Sequence, residues 1–450
     1  MTSNMTKGSP AKLIFFFAIP FLIGNLFQQF YNIADTVIVG RTLGINALAA
    51  VGATGSFTWF AMGSIQGLTT GLSAVTAQRF GADDKKGVKK SFALSIVITI
   101  VYVLVLTLIC TRYSRTILEV LKTPEEIIDD ANGYLMWIFI GLFATGLFNL
   151  LSNMIRALGD SRTPLVFLVV ACIINIILDI VLIVIFKMGP AGAGLATVIA
   201  QLFSGLLCVV FIAKKQPMLH LDRSDFSCEK NLLLLLMRIG LPMAFLNMVL
   251  SIGAVIIQFV NNTLGTVYVA TYGSASKIEQ FITQPVLSFG SALAVFAAQN
   301  FGAHKFRRII KGVNQCIGMC MIWSVIGAII MILAGKFLMY AVAGGESQEV
   351  IDNGYFYVVV NSICCVILVP IVIYKSVLQA VGRTFLPMVS GFVEIICRAG
   401  ASILLSEMFG FVGVCFANPT AWLGGSLVVA VDYILMIKSF KKMGMDTESD

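Results

Sequence analysis

Four polar residues share one face of the first long apolar segment of the sequence. They occupy positions i, i+3, i+4 and i+7 and are Gln28, Tyr31, Asn32 and Asp35. This spacing places side chains on one side of an α-helix, and a carboxylate within an apolar helix usually marks an ion or substrate pathway. We therefore expect this face to line a cavity in which Asp35 binds a small cation or a proton. A hydrated carboxylate at the outer end of the helix is the alternative.

A second polar group lies in the fifth and sixth apolar segments. Asn175 and Asp179 stand at positions i and i+4 and share a helical face, and Thr197 lies in the next segment. Their oxygen atoms suit a hard cation such as Na⁺, and a carboxylate in a low-dielectric cavity can instead carry a proton. A hydrogen-bond network between helices, with no bound ion, is the alternative.

Long apolar runs are the elements that must position these residues. Of the 450 residues, 58% are hydrophobic and 12% are charged, whereas soluble domains are roughly a quarter charged. A run of about 20 residues crosses a bilayer as a helix, and lipid does not tolerate unpaired backbone groups. The sequence therefore predicts an all-α integral membrane protein. Its twelve predicted spans are 13–39, 48–78, 88–111, 132–157, 163–187, 190–214, 231–262, 266–300, 310–335, 353–381, 385–408 and 411–437.

Basic residues are concentrated on one side of this predicted topology. With the N-terminus inside, most of the 31 Lys and Arg residues fall in the inner loops and at the two termini, as the positive-inside rule requires. We therefore expect a multi-pass protein of the plasma or inner membrane with both termini cytoplasmic. Nucleic-acid binding is not expected, because the basic loops would instead contact anionic lipid.

The sequence contains an internal repeat. The hexapeptide AQRFGA at 77–82 recurs as AQNFGA at 298–303. Six predicted spans fall in each half, so both halves enter the membrane from the same side and form parallel repeats with a site near their interface. We predict an N-lobe over 1–214, a cytoplasmic linker over 215–230 and a C-lobe over 231–450, forming two pseudo-symmetric six-helix bundles.

Pro20 lies inside the first predicted span. Its ring removes a backbone hydrogen bond and allows the helix to bend. Because the same helix carries Asp35, the bend is predicted to act as a gate, and passive tolerance of the proline by neighbouring helices is the alternative.

The second half has charges of its own but no counterparts of the first-half acids. Neutral residues stand where the repeat places the partners of Asp35 and Asp179. Glu394 and Arg398 stand at i and i+4 with Glu first, the favourable order for an ion pair within a helix, so we expect a salt bridge there. Sequence assigns no partner to three further charged residues, Lys277, Glu279 and Lys375.

No enzyme motif accompanies these segments. The sequence has no GxGxxG in a βαβ context, no Walker loop and no GxSxG. We therefore expect a transporter and not an enzyme. Since no ATP-binding module is recognisable, the energy has to come from an ion gradient, which supplies about 2.3 kcal/mol per charge per 100 mV.

Three motifs together carry a family resemblance over nearly the whole chain. They are Pro20 with ADTVIVG at 34–40, the AQxFGA repeat, and RALGDSRTP at 156–164. With these motifs the sequence resembles the multidrug and toxic compound extrusion (MATE) family of cation antiporters. The resemblance implies twelve helices in two lobes around a V-shaped cleft. It also implies export of bulky, often cationic compounds in exchange for Na⁺ or H⁺ by alternating access.

The resemblance further implies roles for particular residues, including Pro20 as the bend of the first helix. The implied cation-coupling residues, a possible Na⁺ site, are Asp35, Asn175, Asp179 and Thr197. The implied substrate-cavity residues are Gln28, Tyr31, Asn149 and Asn153. No cofactor is expected beyond the coupling ion. The expected partners are drug-like or cationic small molecules and membrane lipids, and a monomer is expected.

Other functions remain open at the level of sequence. A flippase for lipid-linked oligosaccharides or peptidoglycan precursors has a related fold, but it would need a basic cavity for phosphate groups, whereas the predicted N-lobe cavity is acidic. A channel or an intramembrane enzyme is a further alternative. An enzyme would place histidine at membrane depth, and both histidines lie in predicted loops. The transported compound is not determined, and neither is the choice between Na⁺ and H⁺, because the same carboxylates serve either ion.

Overall fold

The computed structural model describes residues 4–120, 123–227, 229–343 and 347–445, almost all helical, with no β-strand among them. The helices are α1 Pro10–Leu43, α2 Ile45–Gly81, α3 Lys85–Val120, α4 Glu125–Ile140, α5 Leu142–Ala157, α6 Arg162–Asp179, α7 Pro190–Lys215, α8 Lys230–Leu264, α9 Thr266–Gly302, α10 Phe306–Ala343, α11 Gln348–Ala380, α12 Phe385–Phe409, α13 Phe411–Cys415 and α14 Ala417–Lys442. A π-helical turn, Ile180–Ile185, extends α6, and 3₁₀ turns at Pro217–Leu219 and Arg223–Phe226 lie between α7 and α8.

The helices match the predicted spans. Within the described ranges, eleven helical stretches are long and apolar enough to cross a membrane, among them α13 and α14 taken together. The predicted span 132–157 supplies a twelfth as a broken pair, α4 and α5, bent by 44°. The prediction of an all-α membrane protein with twelve spans is therefore confirmed.

The break between α4 and α5 falls at Gly141, a position that sequence reasoning missed. A Cβ atom at this position would lie 2.0 Å from a methyl carbon of Val198 on α7. No other residue type fits such a contact without a shift of the neighbouring side chain. Both α4 and α5 pack against α7, so the missing side chain lets α7 lie directly against the bend.

The chain forms two compact units that do not divide at a single point. The first unit contains Pro20–Met248, and the second contains Met5–Ile19 together with the chain from Val249 onward. These units differ from the predicted lobes, 1–214 and 231–450, in two places. The start of α1 belongs with the second unit, and the start of α8 belongs with the first.

Glycine residues allow the start of α8 to pack closely within the first unit. A Cβ atom at Gly67 of α2 would lie 2.3 Å from the Met243 carbonyl oxygen, and one at Gly71 would lie 2.8 Å from the Gly240 Cα atom. Gly67 and Gly71 are about one turn apart, and this spacing of small residues is typical of membrane helices whose backbones touch. Direct backbone packing therefore holds the start of α8 in place.

Polar contacts hold the start of the chain in the second unit. The N–H of buried Met5 donates to Gln299 Oε1 at 2.9 Å, and the Met5 carbonyl accepts from Asn300 Nδ2 at 3.2 Å. Lys305 Nζ donates to the Thr6 carbonyl at 2.8 Å. Gln299 and Asn300 belong to the AQNFGA copy of the repeat, so this copy of the motif anchors the N-terminal segment.

One pairing predicted from the sequence is wrong. In the described structure, Glu394 Oε1 accepts a hydrogen bond from Lys375 Nζ at 2.5 Å and not from Arg398. Both side chains of the pair are largely buried, and the pair joins α11 to α12. An exposed pair within one helix contributes about 0.2–0.5 kcal/mol, whereas a buried charge without a partner is far more costly. The tertiary partner therefore prevails over the local one.

Gly67→Ala is expected to destabilise the protein, because the new methyl group must displace the Met243 backbone. Overpacking of this kind typically costs about 1–3 kcal/mol. The matched control is Gly55→Ala on the same helix, where a Cβ would meet nothing within 4 Å. That change should be neutral or stabilising by up to about 1 kcal/mol. The measurement is thermal unfolding of the two purified variants in detergent, followed by tryptophan fluorescence. Equal unfolding midpoints for Gly67→Ala and Gly55→Ala would contradict the close packing of α2 on α8.

A pair of double-mutant cycles tests the assignment of Glu394. Lys375→Met should destabilise by about 3–5 kcal/mol because it strands a buried carboxylate, and adding Glu394→Leu should recover much of that loss. Coupling between Lys375 and Glu394 in thermal unfolding should therefore be large, and coupling between Arg398 and Glu394 small. A larger coupling between Arg398 and Glu394 than between Lys375 and Glu394 would instead support the ion pair within α12.

Candidate functional site

The polar cluster of the first unit is built on α1, α4, α6 and α7. Asp179 is the last residue of α6, and the π-helical turn Ile180–Ile185 follows it directly. π-helical turns occur frequently at functional sites, where the extra residue per turn re-aims neighbouring groups. The Asp179 side chain is completely buried, so its carboxylate depends on neighbouring helices for any stabilisation.

Asn175 connects Asp179 to α7. With the amide oriented to satisfy its neighbours, Asn175 Nδ2 donates to Asp179 Oδ2 at 2.9 Å. The Asn175 oxygen then accepts from the Thr197 backbone N–H at 3.1 Å. The i, i+4 spacing predicted that Asn175 and Asp179 share a face, and the packing of α6 on α7 adds Thr197 to them.

Tyr31 brings α1 into the same cluster. Its hydroxyl lies 2.9 Å from Thr197 Oγ1, and either oxygen can be the donor. Sequence reasoning assigned Tyr31 to a substrate cavity and Thr197 to an ion site. The hydrogen bond places the two residues side by side, so the two predicted groups meet here.

Two carboxylate oxygens in this cluster are buried without a hydrogen-bond partner in the described structure. They are Asp35 Oδ1 and Asp179 Oδ1. Buried polar atoms of proteins are nearly always hydrogen-bonded, and an exception calls for a physical reason such as a bound ion. Asp35 and Asp179 are close enough to interact electrostatically, and two like charges in an apolar environment repel strongly. The arrangement is therefore suited to a cation or a proton that neutralises the pair.

Tyr134 on α4 is a member of the cluster that sequence reasoning missed. Its ring is buried, and it interacts electrostatically with both Asp35 and Asp179. Gly194 on α7 makes this possible, because a Cβ there would lie 2.9 Å from the Tyr134 carbonyl oxygen. The only signal in the sequence was a tyrosine within a predicted span, which by itself indicates no site.

The other predicted cavity residues have different surroundings. Gln28 is exposed on α1, and Asn149 is half-buried on α5. Asn153 is buried, and its amide nitrogen donates to Thr69 Oγ1 at 3.0 Å. Its oxygen accepts from Arg156 Nη1 at 3.3 Å. Asn153 thus takes part in packing between α2 and α5, and the assignment of these three residues to a substrate cavity stays a prediction.

Pro20 lies inside α1 and is buried. It also marks the residue at which α1 passes from one compact unit to the other. A proline at this position weakens the helical hydrogen-bond ladder between two parts of one helix that pack with different units. The position suits a bend, and its role as a gate stays a prediction.

The second unit has a polar cluster of another kind around Glu279. Tyr357 donates to Glu279 Oε2 at 2.7 Å, and Asn418 Nδ2 donates to Glu279 Oε1 at 3.3 Å. Arg398 interacts electrostatically with the same carboxylate. Both Glu279 oxygens thus have donors, whereas Asp35 and Asp179 each keep one buried oxygen without a donor in the described structure.

The chain belongs to the MatE family, whose family model matches residues 20–181 and 242–404. Each matched segment falls in one half of the internal repeat. The resemblance drawn from Pro20, the AQxFGA repeat and the 156–164 segment is therefore confirmed.

Named relatives and a solved structure agree with this assignment. The probable multidrug resistance protein YoeA of Bacillus subtilis is 30% identical over 348 residues, which cover 75% of this chain and 74% of that protein. The multidrug export protein MepA of Staphylococcus aureus is 22% identical over 91% of this chain and 90% of its own. The crystal structure of MATE in complex with MaL6 superimposes with a TM-score of 0.91 at 21% identity, covering 98% of this chain and 99% of that one, so the fold is shared.

Thr197→Val is expected to weaken the cluster, because it removes the hydroxyl that pairs with Tyr31 while keeping the side-chain shape. Leaving one partner of a buried hydrogen bond unsatisfied costs about 1–3 kcal/mol. Thr197→Ser keeps the hydroxyl and should retain most of the stability. The measurement is the midpoint of thermal unfolding in detergent. A Ser variant as unstable as the Val variant would show that the Tyr31–Thr197 hydrogen bond does not stabilise the cluster.

Proposed function

We propose that this chain is a multidrug exporter that exchanges drug-like compounds for Na⁺ or H⁺ by alternating access. The observation that carries the proposal is the pair of unpartnered, buried carboxylate oxygens on Asp35 and Asp179. The names of the relatives, a probable multidrug resistance protein and a multidrug export protein, support the substrate class.

Electrostatics gives the reason why this pair would bind an ion. With both carboxylates ionised, the repulsion between Asp35 and Asp179 is weakly screened by the apolar surroundings. A Na⁺ ion held by their oxygens, with Thr197 Oγ1 nearby as a further oxygen ligand, removes that repulsion. A proton shared by the carboxylates removes it as well. Either ion, driven by its gradient, would therefore change the free energy of the conformation that holds it.

Tyr31 offers a physical link between the ion and the exported compound. Its hydroxyl contacts the ion cluster through Thr197, and its ring can contact a cationic compound through a cation–π interaction. We infer that compound and ion compete for the same negative charge, and that α1 transmits this competition through a bend at Pro20. Gln28, Asn149 and Asn153 are the further residues proposed to contact the compound.

The proposed setting is a plasma or inner membrane, with both termini cytoplasmic and the protein acting as a monomer. The positive-inside distribution of Lys and Arg supports this orientation. A flippase for phosphate-bearing lipid precursors is less favoured, because two carboxylates at the proposed site would repel a phosphate group.

Asp35→Asn and Asp179→Asn are each expected to abolish gradient-driven efflux. A neutral amide neither takes up a proton nor carries the negative charge that would hold Na⁺. The measurement is efflux of a fluorescent cationic compound from proteoliposomes with an imposed Na⁺ gradient or an imposed proton gradient. One of these gradients should drive efflux by the wild-type protein. Asp130→Asn, a matched change at an exposed acid of α4, should leave efflux intact.

Two results would contradict the proposal. Unchanged efflux in both cluster variants would remove the carboxylates from coupling. Efflux by the wild-type protein that responds to neither gradient would remove the exchange mechanism itself.

A further inference from the structure

A cavity of about 530 Å³ lies in the first unit, among α3, α5, α7 and the 3₁₀ turn Pro217–Leu219. Its walls are almost entirely apolar, and among its sixteen lining residues only Thr99 and His220 have polar side chains. Representative wall residues are Phe92, Ile96, Val103, Leu147 and Ile212. Such a wall offers an apolar chain contact but no hydrogen-bond partners for a polar compound.

The cavity is long and lies along α3. Its α3 residues recur at helical spacing from Phe92 through Ile96 to Val103, so they form one face that extends roughly 16 Å at a rise of 1.5 Å per residue. This length is about half of the ~30 Å hydrocarbon thickness of a bilayer. His220 and Leu219 line the end nearest the start of α3, because α3 packs against the turn Pro217–Leu219 and Lys89 Nζ lies 3.2 Å from Asp222 Oδ2. The cavity thus runs from one membrane surface toward the bilayer centre, as the acyl chain of one leaflet does.

The surface end of the cavity is basic. Lys215 lies one turn after the lining residue Ile212 at the end of α7, and Lys214 follows the lining residue Ala213; both lysines are exposed. Among the residues that the structure describes, neither has a carboxylate within salt-bridge distance. Lys89 lies one turn before Phe92 on the lining face of α3, and its Nζ is 3.2 Å from Asp222 Oδ2. The lysines of α7 are therefore available to an external anion.

We propose that this cavity binds one acyl chain of an anionic phospholipid, whose phosphate lies at Lys214 and Lys215. An acyl chain gains little hydrophobic free energy when it moves from lipid into the cavity, because lipid tails are as apolar as its walls. The headgroup must therefore decide which lipid occupies the site, and basic residues near the surface favour an anionic headgroup. A cationic compound is disfavoured at this mouth by the same charges.

The test is native mass spectrometry of the full-length protein in detergent, titrated with phosphatidylglycerol and with phosphatidylcholine of identical chains. Wild-type protein should bind phosphatidylglycerol more tightly. Lys214→Gln with Lys215→Gln should reduce that preference about thirtyfold, since each basic residue near the membrane surface strengthens binding of an anionic headgroup about fivefold. Ala213→Trp, at an exposed position of the cavity wall, should reduce binding of both lipids by filling the cavity.

The internal repeat provides a matched control. Lys441 and Lys442 are exposed in the last turn of α14, as Lys214 and Lys215 are in the last turn of α7. Lys441→Gln with Lys442→Gln should keep the wild-type preference. An equal loss in this control, no preference in the wild-type protein, or a cationic amphiphile that displaces the lipid in the wild-type protein would overturn the proposal. Because binding is measured without transport, this outcome is separate from that of the efflux assays.

Discussion

Two carboxylates among apolar helices set the constraint on which the first unit depends. Asp35 and Asp179 each keep a buried oxygen without a hydrogen-bond partner in the described structure, and the two acids interact electrostatically. Such a pair is unfavourable when both groups are ionised and nothing neutralises them. The surrounding helices hold it in place through Asn175 and Thr197, with Tyr31 added from α1. This repulsion between the two carboxylates is useful in an exchanger, because the binding of an ion relieves it.

Close backbone packing gives the helices the rigidity that this arrangement needs. Lipid provides no hydrophobic driving force between helices, so small residues and direct contacts hold them together. Gly67 and Gly71 serve this purpose between α2 and the start of α8, and Gly141 and Gly194 do so where α7 meets α5 and α4. The glycine contacts on α7 flank Thr197 in the sequence, so the helix that carries this residue of the proposed ion site is also tightly packed.

The two units share a fold and a repeat, yet the acids within their long helices have different surroundings. In the second unit, Glu394 is paired with Lys375, Asp432 Oδ1 accepts from Arg383, and Glu279 accepts from neighbouring side chains. Those acids therefore contribute to structure with their charges or oxygens satisfied. The contrast with Asp35 and Asp179 is what singles out the first unit as the proposed ion site.

Local pattern and periodicity were enough to predict the helical class, the twelve spans and the shared face of Asn175 and Asp179, because hydrophobic runs and helical spacing are properties of single segments. The family resemblance likewise rested on contiguous motifs. The partner of Glu394, the break at Gly141 and the place of Tyr134 beside the acids were decided by tertiary structure alone. Each depends on which face of a distant helix packs nearby. The chain encodes that choice through many small contacts across the bundle, so the spacing of residues along one segment does not reveal it.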